Sequence, residues 1–243
     1  MVAIGEFGTA PEPIVQGGSG LMTPMDWMDE MGHASLNPGR AVAEATRLLF
    51  QNPLNPLTHT EIGKSIAAGC ELFDRTTRRY GKPDWGIGDV TVNGMSVPVV
   101  VQSVWEKPFC PLLHFERLIT RPLRTPHPRV LIVAPMSGHW ATLLRGTVEA
   151  FLPQHEVYIT DWADARMVPA AEGRFDLDDY VDYLIDILRA LGGNVHVVAV
   201  CQPSVPVMIA TSLMEAMDDP NVPLSMTLMG GPIDTRRNPT AVN

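Results

Sequence analysis

The sequence predicts an α/β fold in which a mostly parallel sheet carries helices on both faces. Three observations support this. Four short, strongly apolar runs follow one another from Arg129 onward: RVLIVAP, HEVYITDW, NVHVVAV and LSMTLMG. Segments long enough for helices separate them. In the clearest, DLDDYVDYLIDILRALGG, residues Leu177, Tyr180, Val181, Leu184, Ile187, Leu188 and Leu191 share one helical face. Asp176 is placed to cap its start and Gly192 its end. Strands that alternate with helices and are apolar on both sides belong in a parallel sheet covered twice. Right-handed crossovers then gather the strand C-terminal ends on one rim, where ligands bind.

Taken in order, residues 1–38 form an irregular Met/Gly/Pro-rich arm that includes LMTPMDWMDEMGH. Its methionines suit packing on the rest of the chain or on a hydrophobic partner. Residues 39–127 form a helical segment followed by a β-hairpin that leads into the core. Within it Ile62, Ile66, Cys70 and Phe73 recur at helical spacing, which predicts a buried face with Cys70 as a small hydrophobe. Arg75, Arg78 and Arg79 crowd the end of the same helix, where cations suit the dipole. In DVTVNGMSVPVVVQSVWE, Asn93-Gly94 between alternating apolar positions predicts a tight hairpin. Cys110, among prolines in KPFCPLL, reads as a packing residue. Residues 128–243 hold the α/β core.

Composition sets bounds. A chain of 243 residues, 45% of them hydrophobic, is long enough for one sizeable core. A net charge of -9 argues against a nucleic-acid groove and against a polybasic membrane anchor. No apolar run approaches the about 20 residues of a transmembrane helix, and the first residues have no secretory pattern. Cys70, Cys110 and Cys201 are too far apart for a zinc site and too few for a disulfide framework, which points to a reducing, cytoplasmic setting.

The rim carries the chemistry. After the first run come Met136, Ser137, Gly138 and His139; after the second, Asp161 and Asp164; after the third, Cys201. Ala199-Val200-Cys201-Gln202-Pro203 follows the logic of G-x-S-x-G, in which a sharp strand-to-helix turn lifts a nucleophile out of the sheet. Pro203 fits a first helical turn, and the residue before a proline, Gln202, is expected to be strained or extended. A helix N-terminus favours thiolate, the attacking species. The N–H of Gln202, with one from the Met136–Ser137 loop, is placed to bind an oxyanion. The competing reading makes Cys201 an ordinary buried cysteine at a strand end. Ser204, a turn into the helix, reads as a capping or outward hydroxyl, and Ser137 as part of the oxyanion loop. His196 alternates within a strand and reads as a core histidine. His139 is the histidine placed to act near Cys201, either as a base or in a structural hydrogen bond.

VAVCQPSVPVMIA, together with RVLIVAPMSGHWATLLRGTVEAFLP, VYITDWADARMVP and MGGPIDTRRNPTAVN, resembles the intracellular polyhydroxyalkanoate (poly-3-hydroxybutyrate) depolymerases. ELFDRTTRRYGKPDWGI and LLHFERL fit the same family, so the resemblance runs from about Leu48 onward. It implies an α/β-hydrolase that cleaves a stored polyester on cytoplasmic storage granules, with cysteine in the serine's place. By motif Cys201 would be the nucleophile and Gln202 an oxyanion donor, with no metal and no redox cofactor. In that family the acid and histidine of the triad follow the GGPID block, whereas here no histidine follows His196. The resemblance therefore implies a partial core that stops after the strand following the nucleophile helix. Asp234 stands as a candidate acid. A polyhydroxyalkanoate synthase-like acyltransferase and a non-catalytic granule-binding protein are the alternatives. The proline after Gln202 and the GGPIDTR block favour the depolymerase.

Overall fold

The computed structural model describes residues 31–32, 34–78, 81–120, 123, 125–136 and 140–237. Most of the expected arm, together with Ser137 and His139, lies outside the described residues.

Helices α1 (Asn37–Gln51) and α2 (Glu61–Thr77) pack against each other ahead of the sheet. The Thr60 hydroxyl caps α2 by accepting from the Gly63 N–H at 3.1 Å. The face expected to be buried is not. Ile62 is 75% exposed and Cys70 only half-buried, while Gly63 and Ala67 are the buried residues of α2. Gly63 explains the choice of face: a Cβ there would overlap the Leu57 carbonyl, so the small side of α2 meets the preceding turn. Periodicity identified the helix correctly and its buried side wrongly.

Strands β1 (Asp89–Val92) and β2 (Met95–Lys107) form the expected hairpin, with Asn93 at φ 50° and Gly94 at φ 80° in the turn. A second hairpin, not foreseen, brings β3 (Cys110–Arg117) back along β2. The core elements follow: β4 (Arg129–Val133), α3 (Arg145–Phe151), β5 (Glu156–Thr160), α4 (Leu177–Leu191), β6 (Val195–Val200), α5 (Ser204–Ala216) and β7 (Ser225–Met229).

Among the described residues these strands make one seven-stranded sheet in the order β1-β2-β3-β5-β4-β6-β7. The four strands from β4 to β7 are mutually parallel, as the sequence predicts, and β3 joins them antiparallel to β5. This mostly parallel sheet, with β5 and β4 exchanged in order and antiparallel strands on one side, is of the α/β-hydrolase type.

Alternate residues of the central strands enter two cores. On one face Leu131, Val133, Val197 and Ala199 meet α4 and α5; on the other Val130, Ile132, Val157 and Ile159 meet α3 and Trp85. Helix α4 starts on the expected cap: Asp176 accepts from the N–H groups of Asp178 (3.0 Å) and Asp179 (3.3 Å). It ends at Gly192 with φ 71°. Arg129, at the start of β4, donates to the carbonyls of Leu191 and Gly193, placing a cation at the C-terminus of α4. The apolar run of β7 is mostly exposed. Among the described residues its outer edge has no partner strand.

Candidate active site

β6 ends at Val200, and α5 begins four residues later at Ser204. Cys201 therefore has to turn the chain from strand to helix within three residues. It does so at φ 67°, a left-handed conformation that costs a residue with a Cβ about 1–3 kcal/mol. The turn is held from outside. The Cys201 N–H donates to the Met229 carbonyl at 2.8 Å, and its carbonyl accepts from Ser204 N–H at 3.1 Å. The thiol is exposed. The strained residue of the turn is thus Cys201 itself, as the elbow reading expects.

The turn is possible because the next loop approaches it closely. Gly231, just past β7, sits against the start of α5. A Cβ on it would overlap the Ser204 side chain and come within 2.8 Å of the Cys201 carbonyl oxygen. Ser204 is thus neither a cap nor outward-facing, as its position had suggested. It is fully buried and its hydroxyl has no hydrogen-bond partner among the described residues. Pro203 and Pro206 fall where a helix has no use for their missing N–H groups.

The neighbouring strand end supplies the second donor. The Ala134 N–H donates to Thr160 Oγ1 at 2.9 Å, and Trp162 Nε1 donates to the Ala134 carbonyl at 2.9 Å. Both anchors come from the end of β5, so the first residue beyond β4 is fixed on both sides. Two residues on, the Met136 N–H donates to the Gln202 side-chain oxygen Oε1 at 3.3 Å. Met136 and Gln202, named together from sequence as oxyanion donors, are thus adjacent across the rim.

Asp161, at the end of β5, is 3% exposed and ion-paired with Lys82 from the segment before β1. Sequence reasoning placed Asp161 on the rim but had no signal for Lys82. Beside it Cys110 is fully buried, and burial pushes its thiol well above the usual range, which makes it inert. Asp234 accepts from Arg236 through both its backbone N–H (3.1 Å) and Nε (2.8 Å). The Arg236 side chain holds the Asp234 carboxyl below its ordinary value. That geometry is a local turn clamp. Asp164 and Arg166 repeat it after β5, with Arg166 N–H donating to Asp164 at 3.1 Å.

Of the described histidines, His59 lies in the turn between α1 and α2, and the other four are hydrogen-bonded. His114 bonds Glu156, His127 bonds Arg117, His155 bonds the Phe151 carbonyl and His196 bonds Ser225 Oγ. His196 is partly exposed rather than a core histidine. It stands five residues before Cys201 in β6, about 17 Å along an extended strand.

No family model matches the chain, and no curated protein is similar to it. Solved structures give distant likenesses. A protein named as an esterase from Staphylococcus aureus has a TM-score of 0.39 and 12% identity, covering 68% of this chain and 50% of its own. A protein named as a CIB-like hydrolase from Thermoplasma acidophilum has a TM-score of 0.36 and 12% identity, covering 55% of this chain and 64% of its own. The chain thus spans 50% and 64% of the length of these two structures.

Proposed function

We propose that the chain acts as a carboxylic ester hydrolase of the polyhydroxyalkanoate depolymerase type, through Cys201. The observation that carries the reading is the left-handed Cys201 at the strand-to-helix turn, with an exposed thiol. A backbone cost of this kind is retained where a side chain must be presented. The polyester substrate comes from the resemblance of the sequence blocks, with a 3-hydroxyacyl ester as the unit cleaved.

In the proposed reaction the Cys201 thiolate attacks the ester carbonyl carbon and the C=O π pair moves to oxygen. The Met136 and Gln202 N–H groups face that oxyanion. Collapse expels the alkoxide, which takes a proton, and leaves a thioester on Cys201. Water then attacks the thioester, releasing a hydroxy acid and restoring the thiolate. Asp234, tied to Arg236, is a poor partner for a base, and His196, the described histidine nearest to Cys201 in sequence, is bonded to Ser225 Oγ.

Acylation is therefore the step to test. Incubation with a 3-hydroxybutyrate oligomer ester, acid quench and peptide mass analysis should find the acyl group on the Cys201 peptide. Cys201→Ala should carry none. An acyl group on Ser204 or Ser137, or none on the wild-type chain, would remove the cysteine mechanism.

A non-catalytic granule-binding role has one observation in its favour. Leu54, between the two amino-terminal helices, and Ile62 and Leu72 of α2 are 91%, 75% and 65% exposed, apolar side chains available to a polymer. The acylation test separates the two readings.

A further inference from the structure

We infer that the Gln202 side chain is a latch on the oxyanion site: its carboxamide oxygen occupies the Met136 N–H until the oxygen of the tetrahedral species displaces it. The inference rests on the reading of Cys201 as the nucleophile and extends it to a residue whose side chain that reading leaves without a role.

The geometry is specific. Ala134 is held from both sides by Thr160 and Trp162, which fixes the start of the loop after β4. The Met136 N–H, two residues further on, points at the nucleophile turn and meets Gln202 Oε1 at 3.3 Å. Gln202 directly follows Cys201, so the group that occupies the Met136 N–H belongs to the residue next to the proposed nucleophile. The two acceptors compete for one N–H. A bond of this length, longer than the usual 2.9–3.0 Å and open to solvent, exchanges readily. An oxyanion is the stronger acceptor because a charged partner roughly doubles the strength of the bond. The latch therefore yields to the tetrahedral species while competing with a neutral carbonyl.

The opposite reading, a glutamine that merely props the loop in place, predicts the opposite sign on its removal. This makes the inference testable with butanal, an aldehyde. The Cys201 thiolate adds to the aldehyde carbon, forming an S–C bond, and the carbonyl π pair moves to oxygen, which then takes a proton. The resulting hemithioacetal places a neutral hydroxyl where the oxyanion would sit and has no leaving group.

The experiment measures the butanal dissociation constant at Cys201 by protection against iodoacetamide, in the wild-type chain, Gln202→Ala and Gln202→Glu. Alkylation by iodoacetamide passes through no oxyanion and normalises for thiol accessibility. Amide hydrogen exchange at Met136 is followed by NMR in the same proteins. The latch predicts about two- to tenfold tighter butanal binding in Gln202→Ala. It predicts weaker binding in Gln202→Glu, whose carboxylate grips the Met136 N–H more firmly than the neutral amide does. It also predicts faster Met136 exchange in Gln202→Ala. Unchanged or weaker butanal binding in Gln202→Ala overturns the latch, as does unaltered Met136 exchange. If butanal protects Cys201 in the wild type but the Gln202 variants behave alike, only the latch fails. If it protects Cys201 in none of them, the nucleophile reading fails with it.

Discussion

Gly231 and Ser204 leave no room between them for a methyl group, and the Cys201 carbonyl oxygen lies 2.8 Å from where that group would sit. The loop after β7 and the first residue of α5 thus brace the nucleophile turn from one side. Gly231→Ala should destabilise the fold by about 1–3 kcal/mol, the usual cost of overpacking a rigid contact. Urea unfolding should show a lower midpoint with an unchanged slope, and wild-type stability would mean that the brace gives way freely.

Cys201 has an exposed thiol and a left-handed backbone, two properties a stability-optimised protein would not combine. Cys201→Gly should therefore raise unfolding stability, by about 0.5–1 kcal/mol after allowing for the added freedom of the unfolded chain. The same variant should form no acyl adduct. A loss of stability on this substitution would show that the thiol packs rather than presents.

The three cysteines should separate by reactivity. Cys201 is exposed, Cys70 half-buried and Cys110 fully buried with its thiol pushed up by burial. Brief treatment with iodoacetamide at neutral pH should label Cys201 first and Cys110 only after urea is added. Peptide mass analysis reads the order directly.

At the end of the sheet opposite Cys201, Arg117 is buried and paired with Glu156, which also accepts from His114 at 3.1 Å. The His114 hydrogen bond, followed by the Arg117 interactions, holds the Glu156 carboxyl down to about 2 from an ordinary 4.5. A depressed carboxyl contributes stability that is complete above its unfolded value and fades as pH falls through its folded value. Stability should therefore drop between about pH 4.5 and pH 2 as this carboxyl is protonated. Glu156→Gln should flatten that part of the profile and cost about 3 kcal/mol at neutral pH, because Arg117 is left buried without its partner charge. Chemical unfolding across this pH range checks both effects.

Asp161 poses a similar problem at the rim that carries Cys201. It is 3% exposed, and Lys82 supplies its counter-charge. Lys82→Met should destabilise by about 3 kcal/mol through the uncompensated carboxylate. Adding Asp161→Asn should recover part of that loss, since the second change removes the stranded charge. Thermal melts of the single and double variants give the coupling, and simple additivity would show that the pair does not interact.

Much of this protein was legible from local pattern. The alternation of apolar runs with helical periods identified β4 to β7 as parallel strands, and Asp176 and Gly192 marked both ends of α4. Asn93-Gly94 gave the first hairpin. The sharp turn at Cys201 was legible because a small residue, a cysteine and a helix-starting proline fall at alternate places, Ala199, Cys201 and Pro203, where a strand hands over to a helix. Each of these signals depends on neighbours in the chain, and so survives without the fold.

What only the tertiary structure decided depends on register between distant segments. β3 escaped notice because its turn, Pro108-Phe109, lacks the glycine or asparagine that marks a tight hairpin, and its place is set by pairing with both β2 and β5. The buried side of α2 was chosen by a close approach of Gly63 to Leu57 rather than by the larger apolar face. Lys82 meets Asp161 across 79 positions, and Met136 meets Gln202 across 66. Sequence periodicity reports which residues share a face of one element. It carries no information on which element arrives opposite, because that is fixed by the summed packing of the whole sheet and its helices.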